Sequence, residues 1–283
     1  MIILGITAPL SWNSAAAIIK DKKLVAAVEE ERFNGLKHSP RIIPVKSIEY
    51  CLSAARVKAS DVDAIAIGYR HPISYYGRSL CCNIIEGNFN RAIREFGAFS
   101  EYYTGLIRLY DWLKLKGFNF EGSRKLKISF IPHHLAHAAS SFRCSGFREA
   151  NIITIDGQGE DDSGSLWIGR NSRLERINKI GINQSLGMVY GEATDILGFK
   201  PHSHEGKVMG LAGWGKKKIN TKDLWQITSQ GYELLPKWQK NFWDKYGPRR
   251  ERAETLTDKH RNLALSVQNF TEKAGQSLAK SLH

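Results

Sequence analysis

The chain has 283 residues, of which 42% are hydrophobic and 24% are charged, a composition typical of a globular protein with one large domain or two smaller ones. None of its apolar runs approaches the roughly 18 residues that a membrane-spanning helix requires, and its first residues lack the basic segment of a secretory signal. These features exclude an integral membrane protein and lead us to expect a cytoplasmic one.

The net charge of +13 raises the question of nucleic acid binding. Basic clusters at residues 20–23, 216–218 and 249–252 are scattered among loops and helix ends, with no nucleic-acid-binding motif beside them. A solvated surface or an anionic small substrate explains the charge as well as RNA does, so we do not expect a nucleic acid partner. The cysteines show no metal-binding spacing and are expected to be reduced thiols: Cys51, Cys81, Cys82 and Cys144.

The N-terminal part of the chain predicts an α/β sheet. Short apolar runs at 2–7, 14–20 and 24–30 are separated by polar turns, which predicts three strands joined in sequence. A helix is predicted at about 43–56, where apolar residues fall on one face, and a buried strand at 62–69.

Residues 71–124 are rich in Tyr, Phe and Arg and follow a helical pattern over 89–117. We interpret this segment as a helical insertion. A packed helical subdomain is its simplest role, and an acceptor pocket or a dimer contact are the alternatives. A strand is predicted at 126–132, and the next helix begins at the histidine segment.

The opening pattern then recurs, because residues 151–180 again alternate strand, polar loop, strand, tight turn and strand. A unit used twice indicates internal duplication. Duplicated halves with mixed sheets flanked by helices are the plan of the actin-like, ribonuclease H-like fold of the sugar-kinase-type ATPases. We therefore predict an α/β protein with one such subdomain over 1–145, carrying the insertion at about 71–124, and a second over 146–283, incomplete at its C-terminus.

Three histidines lie in the sequence IPHHLAHAASSF, residues 131–142. In a helix His133 and His137 face the same side, whereas His134 is rotated away by about 100°. Asp156 ends the apolar run NIITID, where the chain leaves the sheet. Two imidazoles and a carboxylate can hold a divalent cation and leave positions open for a substrate. The spacing alone leaves open a second interpretation, in which the segment is a polar helix N-terminus and one histidine lies in the core with its hydrogen bonds made.

Two glycine-rich segments are candidates for contacts with phosphate. In DGQGEDDSG, residues 156–164, glycines allow the backbone to approach a ligand closely, and an acidic surface turn is the alternative. In HSHEGKVMGLAGWG, residues 202–215, Lys207 is expected in a glycine-rich turn, although the pattern is not a Walker P-loop. A tight bend between helices is the alternative there.

Five segments in this order resemble the carbamoyltransferase family, which includes nodulation-factor and antibiotic carbamoyltransferases such as the tobramycin enzyme. They are AAVEEERFNGLKHS, HHLAHAASSF, TIDGQGE, SLGMVYGEATDILGF and EGKVMGLAGWG. The resemblance extends from residue 2 to the end of the chain. It implies the actin-like N-terminal part of such an enzyme.

The resemblance implies a two-step transfer. A C-terminal domain releases carbamate from carbamoyl phosphate, and the N-terminal part joins it to ATP as carbamoyl adenylate. The carbamoyl group then passes to a hydroxyl or amine of a small-molecule acceptor.

The resemblance also implies roles for individual residues. By motif match, a divalent metal that holds the nucleotide phosphate would be bound by His133, His137 and Asp156. Iron, zinc and manganese all accept these ligands, and magnesium is a further alternative. Lys37 and His38 match a KH pair near that site and are the candidate catalytic residues. The nucleotide cleft would be lined by Gly157, Gly159, Glu205, Gly206, Lys207 and Gly210.

The chain departs from the family pattern in two places. Trp12 and Asn13 stand where the family often has His-Asp, so the transfer step would use an acid–base group elsewhere. The chain also stops at His283, before a second ATP-binding segment, a further aspartate ligand and the carbamoyl-phosphate domain. We therefore expect a truncation or a split gene product, inactive by itself, that needs the missing domain in cis or in trans and has an exposed face on which a homodimer could form.

Two other functions are consistent with the sequence. A tRNA threonylcarbamoyl transferase shares the fold and the HxxxH metal site and could use the positive charge, but that group usually has a glutamate and a glycine where this chain has His134, Leu135 and Ala136. A non-catalytic lobe that binds nucleotide or a partner chain is the second alternative.

Overall fold

The computed structural model describes residues 1–7, 13–76, 89–121 and 125–282. Within it the chain divides into two units, Met1–Ala136 and His137–His283. Trp12, Cys81 and Cys82 lie outside the described residues, as do parts of the predicted insertion. Cys51 and Cys144 are free thiols, and burial raises the pKa of Cys51 to about 11.

The first unit is built on a five-stranded mixed sheet. Its strands are β1 (Ile2–Ile6), β2 (Ala15–Lys20), β3 (Lys23–Glu29), β4 (Ala64–Ile67) and β5 (Lys127–Phe130). The strand order is β3–β2–β1–β4–β5, with antiparallel pairing on the β2 side of β1 and parallel pairing on the β4 side. This order confirms the predicted ribonuclease H-like sheet and its opening three-strand meander.

Alternating apolar residues form the core face of this sheet. Leu4 in β1 and Ile65 and Ile67 in β4 are fully buried, as the two-residue period of a strand requires. Helix α1 (Glu31–Asn34) follows β3, and helix α2 (Val45–Ala55) packs against β2 and β3. The predicted helix at about 43–56 is therefore present.

A buried carboxylate closes the N-terminus of α2. Glu30 is 4% exposed, and it accepts hydrogen bonds from the backbone N–H groups of Lys46 (3.1 Å) and Ser47 (2.7 Å). A carboxylate in this position satisfies helix N–H groups that have no partner within the helix and interacts favourably with the helix dipole. Because Glu30 lies immediately before α1, this interaction ties together the two ends of the loop that carries Lys37 and His38.

Helix α3 (Phe89–Leu115) forms most of the described part of the insertion and confirms its predicted helical character. Residues on its core face recur at three- and four-residue spacing, as an amphipathic helix requires. They are Tyr102, Leu106, Leu109 and Leu113, all buried in the same core as the sheet. The opposite face is exposed to solvent.

The second unit begins inside helix α4 (His133–Ser145) and continues into a three-stranded antiparallel sheet. Its strands are β6 (Glu149–Gly159), β7 (Asp162–Arg170) and β8 (Arg173–Gly181), in that order across the sheet. This meander has the same connectivity as β1–β2–β3, which confirms the predicted recurrence.

Helices and a hairpin complete the described part of the second unit. They are α5 (Leu186–Ile196), α6 (Glu205–Ala212), β9 (Trp225–Thr228), β10 (Gly231–Leu234), α7 (Trp238–Tyr246) and α8 (Asp258–Ser281). Their common core contains the fully buried Val189, Phe242 and Val267. In the part of the chain that the structure covers, no helix combines the length and apolarity needed to cross a membrane.

A buried arginine holds the C-terminal end of α5. Arg250 is 8% exposed, and its guanidinium donates to the carbonyl oxygens of Leu197, Glu251 and Glu254 at 2.8, 2.8 and 2.5 Å. The chain turns at Gly198, where φ is +74° and an added Cβ would lie 2.3 Å from the Arg250 carbonyl oxygen. The Arg250 side chain thereby provides hydrogen-bond donors to backbone carbonyl groups that have no partner within a helix.

Replacing Arg250 by methionine would keep the apolar stem and remove the donors. We expect Arg250→Met to lower the free energy of unfolding, measured by urea denaturation, by about 2–4 kcal/mol, because one buried and two partly buried carbonyl groups lose their donor. Arg249 is half exposed and pairs with Asp195 at 3.2 Å, so the control Arg249→Met should change the value by less than about 1 kcal/mol. Equal losses in the two variants would contradict this role for Arg250.

The N-terminus of α8 depends on a neutral histidine. The backbone N–H of Thr257 donates to His260 Nδ1 at 3.0 Å, while the Thr257 hydroxyl accepts from the backbone N–H of His260. Burial lowers the pKa of His260 below its usual 6.5, and the positive charges of Arg250 and Lys259 lower it further. The neutral imidazole is therefore favoured in the folded chain.

This cap predicts a pH-dependent contribution to stability. The contribution is complete above the pKa of His260 in the unfolded chain, which is about 6.5. Because the unfolded chain takes up the His260 proton first as the pH falls, the contribution is lost between that pH and the lower pKa of His260 in the folded chain. Since His260→Gln keeps an acceptor that does not titrate, the difference in unfolding free energy between wild type and variant should change by about 0.5–1 kcal/mol over this interval. Urea denaturation at several pH values measures it, and a difference independent of pH would disprove the role of the imidazole.

Candidate functional site

Helix α4 places the three histidines in different surroundings. His134 is 4% exposed and belongs to the interior, whereas His137, four residues after His133, has a side chain that is 53% exposed. The His133 ring contacts Tyr69 edge-on, with centroids 5.7 Å apart. The helical period thus separates one core histidine from two that share the other face.

Asp156 lies in β6 and approaches the same face of α4. Its Oδ2 lies 3.5 Å from His137 Nε2, and its side chain is 36% exposed. Taking one ligand atom from each residue, the candidate ligand atoms of His133, His137 and Asp156 all lie within 4.8 Å of one another. Two imidazoles and one carboxylate at this spacing fit a divalent transition metal, and the exposure of the cluster leaves space for a substrate.

The orientation of Asp156 is fixed by its own backbone. The regular pairing of β6 with β7 is interrupted between Ile155 and Gly159, so the chain bulges at the aspartate. The N–H of Gly157 donates to Asp156 Oδ1 at 2.7 Å. With Oδ1 held in this way, Oδ2 is the oxygen that lies nearest to His137.

The first turn of α5 supports this bulge. Ser185 caps the helix by accepting from the N–H of Met188 (3.0 Å), and its hydroxyl lies 2.7 Å from the carbonyl oxygen of Gly157. Two residues later, a Cβ on Gly187 would lie 2.6 Å from both Cα and N of Gly157. Only glycine at 187 allows the helix to approach the strand this closely.

The predicted phosphate-contacting glycines of β6 have different surroundings. Gly157 is next to Asp156, and a Cβ there would meet no atom within 4 Å, so the backbone faces open space. Gly159 is buried and pairs with Asp162 across the hairpin. Of the two, Gly157 alone has the open surroundings that a ligand contact requires.

Residues 205–212 form helix α6, so the expectation that Lys207 lies in a glycine-rich turn is wrong, as is the alternative of a tight bend. Val208 and Ala212 are buried on the inner face, and this burial outweighs the low helix propensity of the glycines. Gly206 and Gly210 are exposed with no atom within 4 Å of an added Cβ. They leave a flat strip of exposed backbone on the outer face of the helix.

The polar side chains of α6 lie near its N-terminus. Glu205 accepts from the backbone N–H of His202 at 2.5 Å, which closes the loop before the helix. Lys207 is exposed, and its Nζ lies 5.9 Å from the ring centroid of Phe199. The predicted residues Glu205, Gly206, Lys207 and Gly210 are thus brought together on one helix of the second unit.

Lys37 and His38 lie in the first unit, in the loop between α1 and α2. The His38 N–H donates to Glu31 Oε2 at 2.5 Å, which lowers the pKa of the Glu31 carboxyl, and the His38 carbonyl accepts from Ser14 (3.1 Å). Within the described residues, His38 Nε2 is buried and has no hydrogen-bond partner. Lys37 is exposed. The loop therefore holds the histidine by its backbone and leaves one ring nitrogen for another group.

Sequence reasoning did not identify the supporting residues Ser185 and Gly187. Both lie in SLGMVYGEATDILGF, where a serine followed two positions later by a glycine at the start of an apolar helix was the available signal. The serine indicates a helix cap. The close approach of the glycine to a distant strand depends on tertiary contacts.

The strand order and the repeated meander define an actin-like, ribonuclease H-like protein with a candidate metal centre. Comparison with known proteins gives the family, since residues 2–275 match the family described as Carbamoyltransferase N-terminus. The chain belongs to this carbamoyltransferase family.

Two curated relatives that match most of this chain are longer than it is. It is 34% identical over 270 residues to Nodulation protein NolNO of Sinorhizobium fredii, covering 92% of this chain and 37% of that protein. It is 35% identical over 301 residues to the uncharacterized protein sll1178 of Synechocystis, and the match covers 99% of this chain and 48% of that protein. The chain thus spans less than half the length of these relatives.

Several solved structures show a distant likeness to this chain. Component A of (R)-2-hydroxyglutaryl-CoA dehydratase from Acidaminococcus fermentans is 16% identical, with a TM-score of 0.43, and the match covers 98% of this chain and 78% of that one. This score is too low to support an inference about function.

The contact between Gly187 and Gly157 can be tested with alanine. Gly187→Ala should lower the free energy of unfolding by about 1–3 kcal/mol, measured by urea denaturation, because the added methyl group collides with the backbone beside Asp156. Gly191→Ala, on the same helix with no atom within 4 Å of its Cβ, should be neutral or stabilise by up to about 1 kcal/mol. A Gly187→Ala protein as stable as Gly191→Ala would disprove the close contact.

Proposed function

We propose that this chain is the N-terminal part of an ATP-dependent carbamoyltransferase that forms carbamoyl adenylate and passes its carbamoyl group to a small-molecule hydroxyl or amine. The family match over residues 2–275 supports the general reaction. The observation that carries the ATP-dependent step is the cluster of His133, His137 and Asp156, whose candidate ligand atoms lie within 4.8 Å of one another.

The donor set suits a divalent metal. Two imidazole nitrogens and one carboxylate oxygen are accepted by iron, zinc and manganese, and three protein ligands leave coordination positions for a phosphate. When bound, the metal would neutralise phosphate charge and orient the adenylate. His133 and His137 would bind it from successive turns of one helix, and Asp156 would bind through Oδ2, because Oδ1 already accepts from Gly157.

Backbone beside the cluster is open to a nucleotide. Gly157 follows Asp156 directly, and the space beyond its Cα is empty to at least 4 Å. In α6, the exposed backbone at Gly206 and Gly210 offers a flat surface next to the positive charge of Lys207. We propose that these residues, together with Glu205, line the nucleotide cleft, and that the buried Gly159 contributes only through its pairing with Asp162 in the hairpin.

The proposed chemistry has two steps. Carbamate attacks the α-phosphate of ATP and displaces pyrophosphate, and the acceptor oxygen or nitrogen then attacks the carbamoyl carbon and displaces AMP. The acceptor loses a proton in the second step, so a base is needed. We propose that His38 takes this proton, because its Nε2 has no partner among the described residues and its backbone is fixed at both N–H and carbonyl. Lys37 would supply positive charge beside it.

The complete reaction would need further components. Carbamoyl phosphate would be the source of carbamate, and the domain that releases it would act in cis or in trans. We propose that this chain without that domain binds metal and nucleotide but does not turn over.

Metal content tests the cluster directly. After reconstitution with iron, zinc or manganese and removal of excess ion, elemental analysis should find about one ion per chain. His137→Ala and Asp156→Asn should lose it, because each removes one of three ligands, whereas Asp161→Asn removes a nearby exposed carboxylate and should retain it. A parent chain that retains no metal, or equal retention in all variants, would overturn the metal centre.

Carbamoyl transfer is tested by combining this chain with the C-terminal domain of a relative and supplying carbamoyl phosphate. ATP-dependent release of AMP and pyrophosphate is the expected result, and His38→Ala should reduce transfer of the carbamoyl group to the acceptor, with its accompanying release of AMP, without abolishing metal binding. Metal binding without any formation of AMP and pyrophosphate would leave the metal centre in place and reject the adenylate mechanism.

A further inference from the structure

The reaction needs a site for the acceptor, and the first unit contains a groove that the proposed function does not use. A cavity of about 580 Å³ lies between Arg41, in the loop after His38, and one face of α3. The α3 residues that line it are Gly97, Ser100, Glu101, Thr104 and Arg108. They recur at the spacing of a single helix face, with Phe96 at one end of the groove.

The groove carries a positive charge. Arg41 Nε lies 3.4 Å from Glu101 Oε1, so one guanidinium is paired with a carboxylate that is itself 43% exposed. Arg108 has no ion-pair partner in the part of the chain that the structure covers. The residues that line the groove therefore include two guanidinium groups and one carboxylate. Guanidinium groups offer forked donors that match carboxylate and phosphate oxygens.

The shape and the remaining polar groups suit a small ligand. Gly97 has no atom within 4 Å of an added Cβ, so the groove is open down to the helix backbone at that residue. Ser100 and Thr104 are exposed and can each donate or accept a hydrogen bond. Phe96 is 58% exposed and offers an apolar ring face at the end of the groove.

Aromatic rings connect the groove with His133, which belongs to the same unit. Neighbouring ring centroids are 4.5 to 6.4 Å apart along the series Phe96, Phe99, Tyr76, Tyr75, Tyr69 and His133. Tyr69 also contacts Tyr102 of α3 at 5.7 Å, so one ring touches both the groove-bearing helix and the candidate metal ligand. These contacts fix the position of the groove relative to His133.

We propose that this groove binds the acceptor, and that the acceptor carries an anionic oxyacid group, a carboxylate or a phosphate, held by Arg108 and Arg41. Its apolar or ring portion lies on Phe96. That the ligand is an acceptor depends on the proposed function. The anion site itself depends only on the groove.

The test uses small probes on the full chain, because the acceptor is unidentified. Benzoate and phenyl phosphate present the two anionic groups on a ring, and benzyl alcohol is the neutral comparison. Isothermal titration calorimetry should show millimolar binding of at least one anion, with benzyl alcohol weaker by about tenfold or more, since it lacks the charge-assisted hydrogen bonds. The stronger of the two anions identifies the oxyacid class.

Substitutions that are expected to change the affinity for the anion in opposite directions locate the site. Arg108→Gln should weaken anion binding by about three- to tenfold, and Glu101→Gln should strengthen it, because it removes the competing carboxylate from Arg41. Lys114→Gln removes an exposed positive charge from the same helix outside the groove and should leave binding unchanged. All three residues are exposed, so the variants should fold.

Three results would overturn the anion site: no binding of either anion, equal binding of the neutral probe, or equal effects of Arg108→Gln and Lys114→Gln. Metal content of the same samples separates this outcome from failure of the proposed function. A chain that binds metal and no anionic probe rejects the groove alone. A chain that binds the anion at Arg108 but no metal supports the groove and rejects the metal centre.

Discussion

The candidate site depends on the contact between two glycines, Gly187 at the start of α5 and Gly157 after Asp156. The backbones approach so closely that a methyl group on Gly187 would lie 2.6 Å from the strand. This approach lets Ser185 cap the helix and reach the Gly157 carbonyl with the same hydroxyl. The bulge in β6 is therefore supported by the first turn of α5, and the Asp156 carboxylate is presented to α4 in a defined orientation.

Helix α4 supplies the other half of the cluster by simple periodicity. His134 is buried, while His133 and His137 stand one turn apart on another face, so the same short sequence serves packing and the site. Since both histidines belong to one continuous helix, their separation is set by helix geometry. The exposure of His137 keeps the cluster accessible, which is what a site that exchanges substrates requires.

Local sequence patterns predicted most of the fold. Alternating burial in β1 and β4 matches the two-residue period of a strand, and the repeated pattern of strands and tight turns corresponds to the meander β6–β8. The helical pattern at residues 89–117 corresponds to α3, Phe89–Leu115. The error at Lys207 has a clear cause. Glycines 206 and 210 suggested a turn, but Val208 and Ala212 bury the other side of the segment, and tertiary packing outweighs glycine's low helix propensity.

The sequence by itself determined the order of elements, the pairing of His133 with His137 through helix periodicity, and the family, because each is encoded in local spacing or in ordered motifs. Tertiary structure decided what depends on residues distant in the chain. It placed Asp156 Oδ2 3.5 Å from His137, buried Arg250 against the end of α5, and opened a groove between Arg41 and α3. Spacing along a chain fixes which side of an element a residue occupies, whereas the packing of that side against another element follows only from the complete fold.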